Sequence, residues 1–273
     1  MRKTIFASLR TVLLFAGMIV MIFPFAWMLL TSLKTLPESI SIPPTLVPAE
    51  AQWGNYAEAV TVAPFDLYLR NSIIVAGVGT LLTLFVTVTS AYAFTVFSFP
   101  GKKLLFLFCL ATMMVPSELL IIQNFVTVTK LGWMDTFAGI ILPTIGSGFY
   151  IYMMHEYFMQ VPAVLQKAAK VDGCGHFKYL WRIMIPMNKN AIATIAILTF
   201  ISQWNSFVWA LMVTSSDEHR VLPIGLLYFR DAVSSQVNLQ MAGATIVIAP
   251  MMVFYLIFRK QIIAGVSRGG IKG

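Results

Sequence analysis

Charged side chains are scarce in this chain: only 11% of its 273 residues are Asp, Glu, Lys or Arg, against about 25% in ordinary soluble domains. Because 58% of the residues are apolar and the mean hydropathy is +0.81, a soluble globular protein is excluded. Cysteine is nearly absent as well. Cys109 falls in an apolar run and Cys174 in a more polar loop, which excludes a structural disulfide framework. His155, His176 and His219 are dispersed and form no metal-ligand spacing with either cysteine, so no metal site is expected. No nucleophile and base pair stands out, and no catalytic residue is assigned. A phosphate-binding loop is also missing: Gly101-Lys102 has neither the spaced glycine before it nor Ser or Thr after it. The chain is therefore not expected to hydrolyse ATP or to act as an enzyme.

What the chain has is long apolar runs. A bilayer crossing needs about 20 apolar residues in a helix, and six runs qualify, at residues 11–33, 72–97, 104–128, 136–154, 191–213 and 239–258. None alternates with the period of two that a membrane strand shows. The expected fold is an all-α integral membrane protein of six transmembrane helices, one membrane domain over residues 1–273 with no soluble domain. The first run is longer than the apolar core of a cleaved signal and lacks a small-x-small site, so it reads as a retained helix. Pro24, Pro116, Pro143 and Pro250 fall inside runs, where they bend helices that neighbours can still satisfy. Between the runs, Pro43-Pro44 and Pro48, Pro100-Gly101, and Ser215-Ser216-Asp217 mark loops. The first of these loops is long enough for short structure. Its Trp53-Gly54-Asn55-Tyr56 stretch suits either an interfacial aromatic anchor or a partner contact.

Net charge is +8, but its distribution points to membrane topology and not to nucleic acid. With the N-terminus cytoplasmic, Arg2, Lys3, Arg10, Lys102, Lys103, Lys167, Lys170, Lys178, Arg182, Lys189, Arg259, Lys260, Arg268 and Lys272 all lie inside. Only Lys34, Arg70, Lys130, Arg220 and Arg230 lie outside, as the preference of basic residues for the cytoplasmic side requires. Both termini and the loop at about 157–190 are thus expected in the cytoplasm.

That loop has its own pattern. Pro162 suits a helix start, residues 163–171 are good helix formers, and Gly173 supplies a left-handed stop. Beyond Gly175, Phe177, Leu180, Trp181 and Met184 fall at i, i+3, i+4 and i+7, the stripe of a second helix, with Pro186 just past its end. The small Ala168 and Ala169 permit close approach by a partner, and Phe177 and Trp181 are the kind of aromatic that anchors an interface. A helical hairpin resting on the membrane, with Lys178 and Arg182 at lipid headgroups, fits the same residues.

The order Lys167-Ala168-Ala169, Gly173 and, after nine intervening residues, Ile183-Met184-Ile185-Pro186 resembles the EAA loop of membrane-spanning permease subunits of ATP-binding-cassette importers. Asn71-Ser72, Ala91-Tyr92-Ala93-Phe94, Pro100-Gly101-Lys102, Trp204-Asn205, Met241-Ala242 and the tail Gly269-Gly270-Ile271-Lys272-Gly273 are similar to the carbohydrate branch of that family. They look most like its smaller maltose-type or glycerol-phosphate-type subunit, over residues 10–273. The resemblance implies a multi-pass protein of the bacterial inner or cytoplasmic membrane that imports a carbohydrate, an oligosaccharide or a polyol phosphate. It also implies a second related permease, two ATPase subunits that bind ATP and Mg²⁺, and an extracellular solute-binding protein. Lys167, Ala168, Ala169, Asp172, Gly173, Phe177, Trp181, Ile183 and Pro186 would make the ATPase-coupling surface. Here the family's acid is replaced by Lys167, a charge reversal that selects a different partner surface.

Glu118 is the one acid placed well inside a run, where an ionisable group either lines a polar route or accepts a structural hydrogen bond. Gln203, Trp204 and Asn205 offer amides for sugar hydroxyls and a ring for a sugar face, or hydrogen bonds between helices. An ion-gradient-driven secondary transporter is the alternative function. Glu118 alone is a thin supply of ionisable groups for it.

Overall fold

The computed structural model describes residues 2–229 and 236–269, with side chains described for 10–229 and 236–262. Arg230 and Asp231 of the expected outer loop, and Gly270, Ile271, Lys272 and Gly273 of the tail, lie outside the described residues, as do the side chains of Arg2, Lys3 and Arg268. The described residues are helical, without strands.

Helices α1 (Arg2–Ser32), α2 (Leu36–Ser39), α3 (Gly54–Val62), α4 (Phe65–Val96), α5 (Lys102–Thr112) and α6 (Ser117–Lys130) lead the chain. Then come α7 (Phe137–Ile141, continued by a 3-10 turn at Leu142–Thr144), α8 (Gly148–Met159) and α9 (Ala163–Val171). After these follow α10 (His176–Tyr179), a π-helical turn (Leu180–Met184), α11 (Ile185–Met187), α12 (Lys189–Trp204), α13 (Val208–Val213) and α14 (Val237–Gly269). Residues 10–32, 65–96 and 237–262 are each long and apolar enough to cross a membrane. Three further helix pairs are bent by 101°, 51° and 82°, and counting each as one span gives six.

Three runs expected to be continuous are therefore broken, the run at 191–213 parting at Asn205 to Phe207 between α12 and α13. The run at 104–128 parts between α5 and α6, where Pro116 takes φ −57° and ψ 132° as the residue before α6. Without an N–H, and with a ring that collides with the preceding turn, proline cannot carry α5 onward. The run at 136–154 parts at Ile145 to Ser147, just after the 3-10 turn that holds Pro143. Pro24 and Pro250, by contrast, remain inside α1 and α14.

The chain divides into two compact units, Met1–Asp66 with Leu222–Met252, and Leu67–Val221 with Val253–Gly273. In the first, the last turn of α1 leaves carbonyls that its own helix cannot satisfy. Asn55 serves them: its Nδ2 donates to the Ser32 oxygen at 2.8 Å and to the Lys34 oxygen at 2.9 Å. Asn238 of α14 in turn donates to Asn55 Oδ1 at 3.2 Å. Lys34 is buried, with its ammonium on the Thr45 carbonyl and 4.5 Å from the Trp27 ring centre, which desolvated aromatic faces favour. The loop after α1 is thereby tied back onto the helix end.

In the second unit, α4, α8, α9, the π-turn and α12 share a core built on Tyr92, Met154, Phe158, Ala169, Leu180 and Ile195. Asp135 adopts φ +54°, and its Oδ1 accepts from the backbone N–H groups of Ser215 at 3.1 Å and Ser216 at 3.2 Å. Burial alone would raise this carboxyl. The Ser216 and Ser215 donors and the nearby His219 outweigh burial and hold it below the ordinary carboxylate range. Gly148 opens α8 against the Cys109 carbonyl oxygen and Thr112 hydroxyl of α5, with no room for a Cβ. Since the obstacle includes backbone, Gly148→Ala is expected to destabilise the chain by about 1–3 kcal/mol, read as a lower thermal unfolding temperature in detergent.

Candidate functional site

The residues singled out from sequence gather in two places, both within the second unit. The first is the segment from α9 to α11. α9 forms where expected: Pro162 precedes it at φ −59°, and Gly173 at φ +68° ends it. At its end the N–H of Asp172 reaches the Ala168 oxygen at 3.0 Å and that of Cys174 the Ala169 oxygen at 2.8 Å, the closing bonds of a helix stopped by a left-handed residue. The strongly amphipathic sequence puts the two alanines on different sides. Ala168 is exposed, while Ala169 is 6% exposed and packed into the core. The small size of Ala169 thus serves contact with the chain's own helices and not the approach of a partner.

The second helix of this segment differs from the sequence expectation in two ways. Pro186 does not lie past its end but inside α11. The preceding π-turn accounts for this, because its wider i to i+5 bonding relieves the clash a proline makes with the carbonyl four residues back. The apolar stripe also splits. Leu180 and Met184 are buried at 6% and 2%, whereas Phe177 and Trp181 are 75% and 52% exposed, with ring centres 6.0 Å apart. Lys167, Asp172 and Gly173 are exposed beside them, and Ile183 is half-buried. The outer surface of the segment therefore combines two bare aromatic rings with lysines.

α4 grips the same segment from within. The Tyr92 hydroxyl lies 3.0 Å from His176 Nδ1 and donates to the His176 carbonyl at 3.2 Å. Phe97 stands 4.6 Å from the imidazole centre. Sequence reasoning noted Tyr92 but gave it no part in the loop, since nothing local links positions so far apart in the chain.

The second place is a cavity of ≈ 620 Å³. It lies where helices break: Ser117 and Glu118 begin α6, Gly146 and Ser147 precede α8, and Asn205 to Phe207 join α12 to α13. Glu118, Gln203 and Asn205 all line it, and Glu118 is its only charged residue among the described residues. Glu118 lies in the first turn of α6, after the break, where it accepts from Ser117 Oγ at 3.2 Å; the sequence had placed it mid-run. Trp204 is not among the lining residues. It is buried at 5% and stacks on Phe200 at 5.9 Å, while Phe149, Tyr150, Phe207 and Trp209 supply rings on the cavity wall.

Gln203 is positioned by a short chain of hydrogen bonds. Thr144 Oγ1 donates to the Ile141 oxygen at 2.7 Å, so it accepts from Gln203 Nε2 at 2.9 Å. Gly79 of α4 lies against this amide, and a Cβ there would come within 2.8 Å of Nε2. Thr83, one turn further along α4, also lines the cavity; its hydroxyl is buried without a partner among the described residues. Neither Gly79 nor Thr83 carries a signal in sequence, because a threonine within an apolar helix usually bonds its own backbone.

A family profile described as binding-protein-dependent transport system inner membrane component matches residues 79–268. The chain is 32% identical over 275 residues to the trehalose/maltose transport system permease protein MalG of Thermococcus litoralis, covering 97% of this chain and 98% of that protein. It is also 32% identical over 257 residues to the arabinooligosaccharides transport system permease protein AraQ of Bacillus subtilis, covering 92% and 91%. Among solved structures it is similar, at a TM-score of 0.83 and 25% identity, to a chain of a bacterial ABC transporter involved in the import of the acidic polysaccharide alginate, covering 94% and 96%.

Proposed function

Because the chain belongs to the binding-protein-dependent transport system inner membrane components, we propose that it is the permease subunit of an ATP-driven importer whose cargo is an oligosaccharide. As a multi-pass membrane protein of that family it is a transporter component and not an enzyme. The observation that carries the cargo reading is similarity along nearly the whole chain to permeases named for trehalose/maltose and arabinooligosaccharides. ATP and Mg²⁺ belong to two partner ATPase subunits, a second related permease completes the pathway, and an extracellular solute-binding protein delivers the cargo.

In this reading the segment from α9 to α11 faces the cytoplasm and receives the ATPase on Phe177, Trp181, Ala168 and the lysines around them. Lys167, in place of the family's acid, asks for a partner surface that is locally acidic. Movement of the segment passes inward through Ala169 and through Tyr92 on His176. Thr83 lies nine residues before Tyr92 on the same continuous helix, about 13 Å along it at 1.5 Å per residue. A stiff helix therefore joins the docking segment to the cavity, and a small displacement at one end reaches the other. The cavity's amides, hydroxyls and rings suit the hydroxyls and apolar faces of sugars.

Reconstitution of the chain with its ATPase and second permease tests the proposal. Oligosaccharide uptake into vesicles is expected to require ATP and the ATPase subunits. Uptake without them that follows a proton or sodium gradient would overturn it.

A further inference from the structure

We infer that Glu118 makes the cavity selective by charge, so that it passes neutral saccharides and turns away anionic ones. The inference rests on the transport reading and concerns the cavity that reading uses.

Two helices of ordinary length begin at this cavity, α6 with 14 residues and α8 with 12. The unshared N–H groups of a helix's first turn carry about half a positive charge and attract anions; α6 has no side-chain cap, while at α8 the Ser147 hydroxyl takes one of these groups, from Tyr150, at 3.4 Å. Left alone, two such ends would make the cavity a trap for carboxylate or phosphate. Among the described residues no Lys or Arg lines it. Glu118 stands in the first turn of α6, where its carboxylate offsets the positive ends. The balance leaves a surface of neutral hydrogen-bonding groups with a single negative charge. Asn124, Asn205 and Ser202 line it, and the buried Thr83 hydroxyl, unpartnered among the described residues, remains for a neutral polar group to engage. A neutral saccharide meets partners for its hydroxyls there, whereas a uronate or sugar phosphate meets the Glu118 carboxylate. Removing that carboxylate does more than weaken the barrier. It exposes the two helix ends, so that anionic saccharides are admitted beside neutral ones.

The test uses the complete importer in proteoliposomes, with Cys109→Ser and Cys174→Ser so that a single new thiol, Ser202→Cys, reports from the cavity wall. Its rates of reaction with positively and negatively charged methanethiosulfonates of matched size read the local potential. Glu118→Gln is expected to lower the ratio of cationic to anionic rate about tenfold, as loss of one nearby charge in a partly screened site predicts, and Glu118→Asp is expected to preserve it. With Glu118 present, maltotriose slows labelling at least twofold and trigalacturonate does not; after Glu118→Gln, trigalacturonate does so as well. An unchanged rate ratio in Glu118→Gln, or equal protection by both saccharides with Glu118 in place, overturns the inference. ATP-driven uptake by the same vesicles is read separately. Its absence together with a shifted ratio overturns the transport reading and supports charge selectivity, and its presence with an unchanged ratio does the reverse.

Discussion

Replacing Phe177 and Trp181 together by alanine is expected to abolish ATP-linked uptake while leaving the unfolding temperature of the chain nearly unchanged. The two halves of this expectation come from one fact, that these rings are 75% and 52% exposed. Exposed rings contribute little to the chain's own core, so truncating them removes little packing within it. At an interface the same rings are worth much more, since central aromatic residues typically cost at least about 2 kcal/mol each when cut back to alanine. Losing both weakens ATPase association by about 10³-fold, if their effects add. Copurification of the ATPase with the double variant, alongside uptake and thermal unfolding, checks the result. Uptake within twofold of the parent would remove these rings from the docking surface. A large fall in unfolding temperature would show that they belong to the core.

Ala169→Pro is expected to stop uptake through a different failure. The substitution deletes a backbone donor in the last third of α9 and drives the proline ring against the Leu165 carbonyl, at a cost of about 3 kcal/mol or more. Ala169 is also the residue of α9 buried in the core that holds Tyr92, Met154 and Phe158, so the break falls where the segment joins the bundle. Ala169→Gly separates the two contributions. It keeps the donor and the close approach, costs about 1 kcal/mol in helix propensity, and is expected to retain most uptake. Rates of uptake and of transport-coupled ATP hydrolysis in the two variants are the measurement. Coupled activity surviving Ala169→Pro would mean that motion enters the chain elsewhere.

α9 was legible in sequence because its signals are local: Pro162 before it, helix formers within it and a glycine after it are read by the backbone in any surroundings. The apolar runs were legible for the same reason, as a bilayer demands length and hydropathy alone. The breaks at Pro116 and after Pro143 were harder to place. Proline interrupts a helix in some settings and merely bends it in others, and Pro24 and Pro250 stay inside helices that continue past them. The stripe of Phe177, Leu180, Trp181 and Met184 misled because a π-turn changes the angle between successive side chains, and hydropathy does not reveal where the helix is underwound. Trp204 misled differently. Composition marks it as a ring suited to sugar, but the direction it points is decided by Phe200 one turn earlier. Long-range contacts such as Tyr92 with His176 lay beyond any local pattern.

The hydrogen bonds around Gln203 run in one direction. The Ile141 carbonyl receives the Thr144 proton, and Thr144 then receives one from the Gln203 amide, so the orientation of that amide is dictated by a backbone oxygen two links away. Turning the side chain over would set its carbonyl oxygen against the Thr144 oxygen, and Thr144 could bond it only by withdrawing its proton from the Ile141 carbonyl. Stereochemical recognition commonly depends on which end of an amide a ligand meets. Here that choice is inherited from the peptide geometry of α7, so a shift of the Ile141 carbonyl, which is not on the wall, would change what the cavity reads.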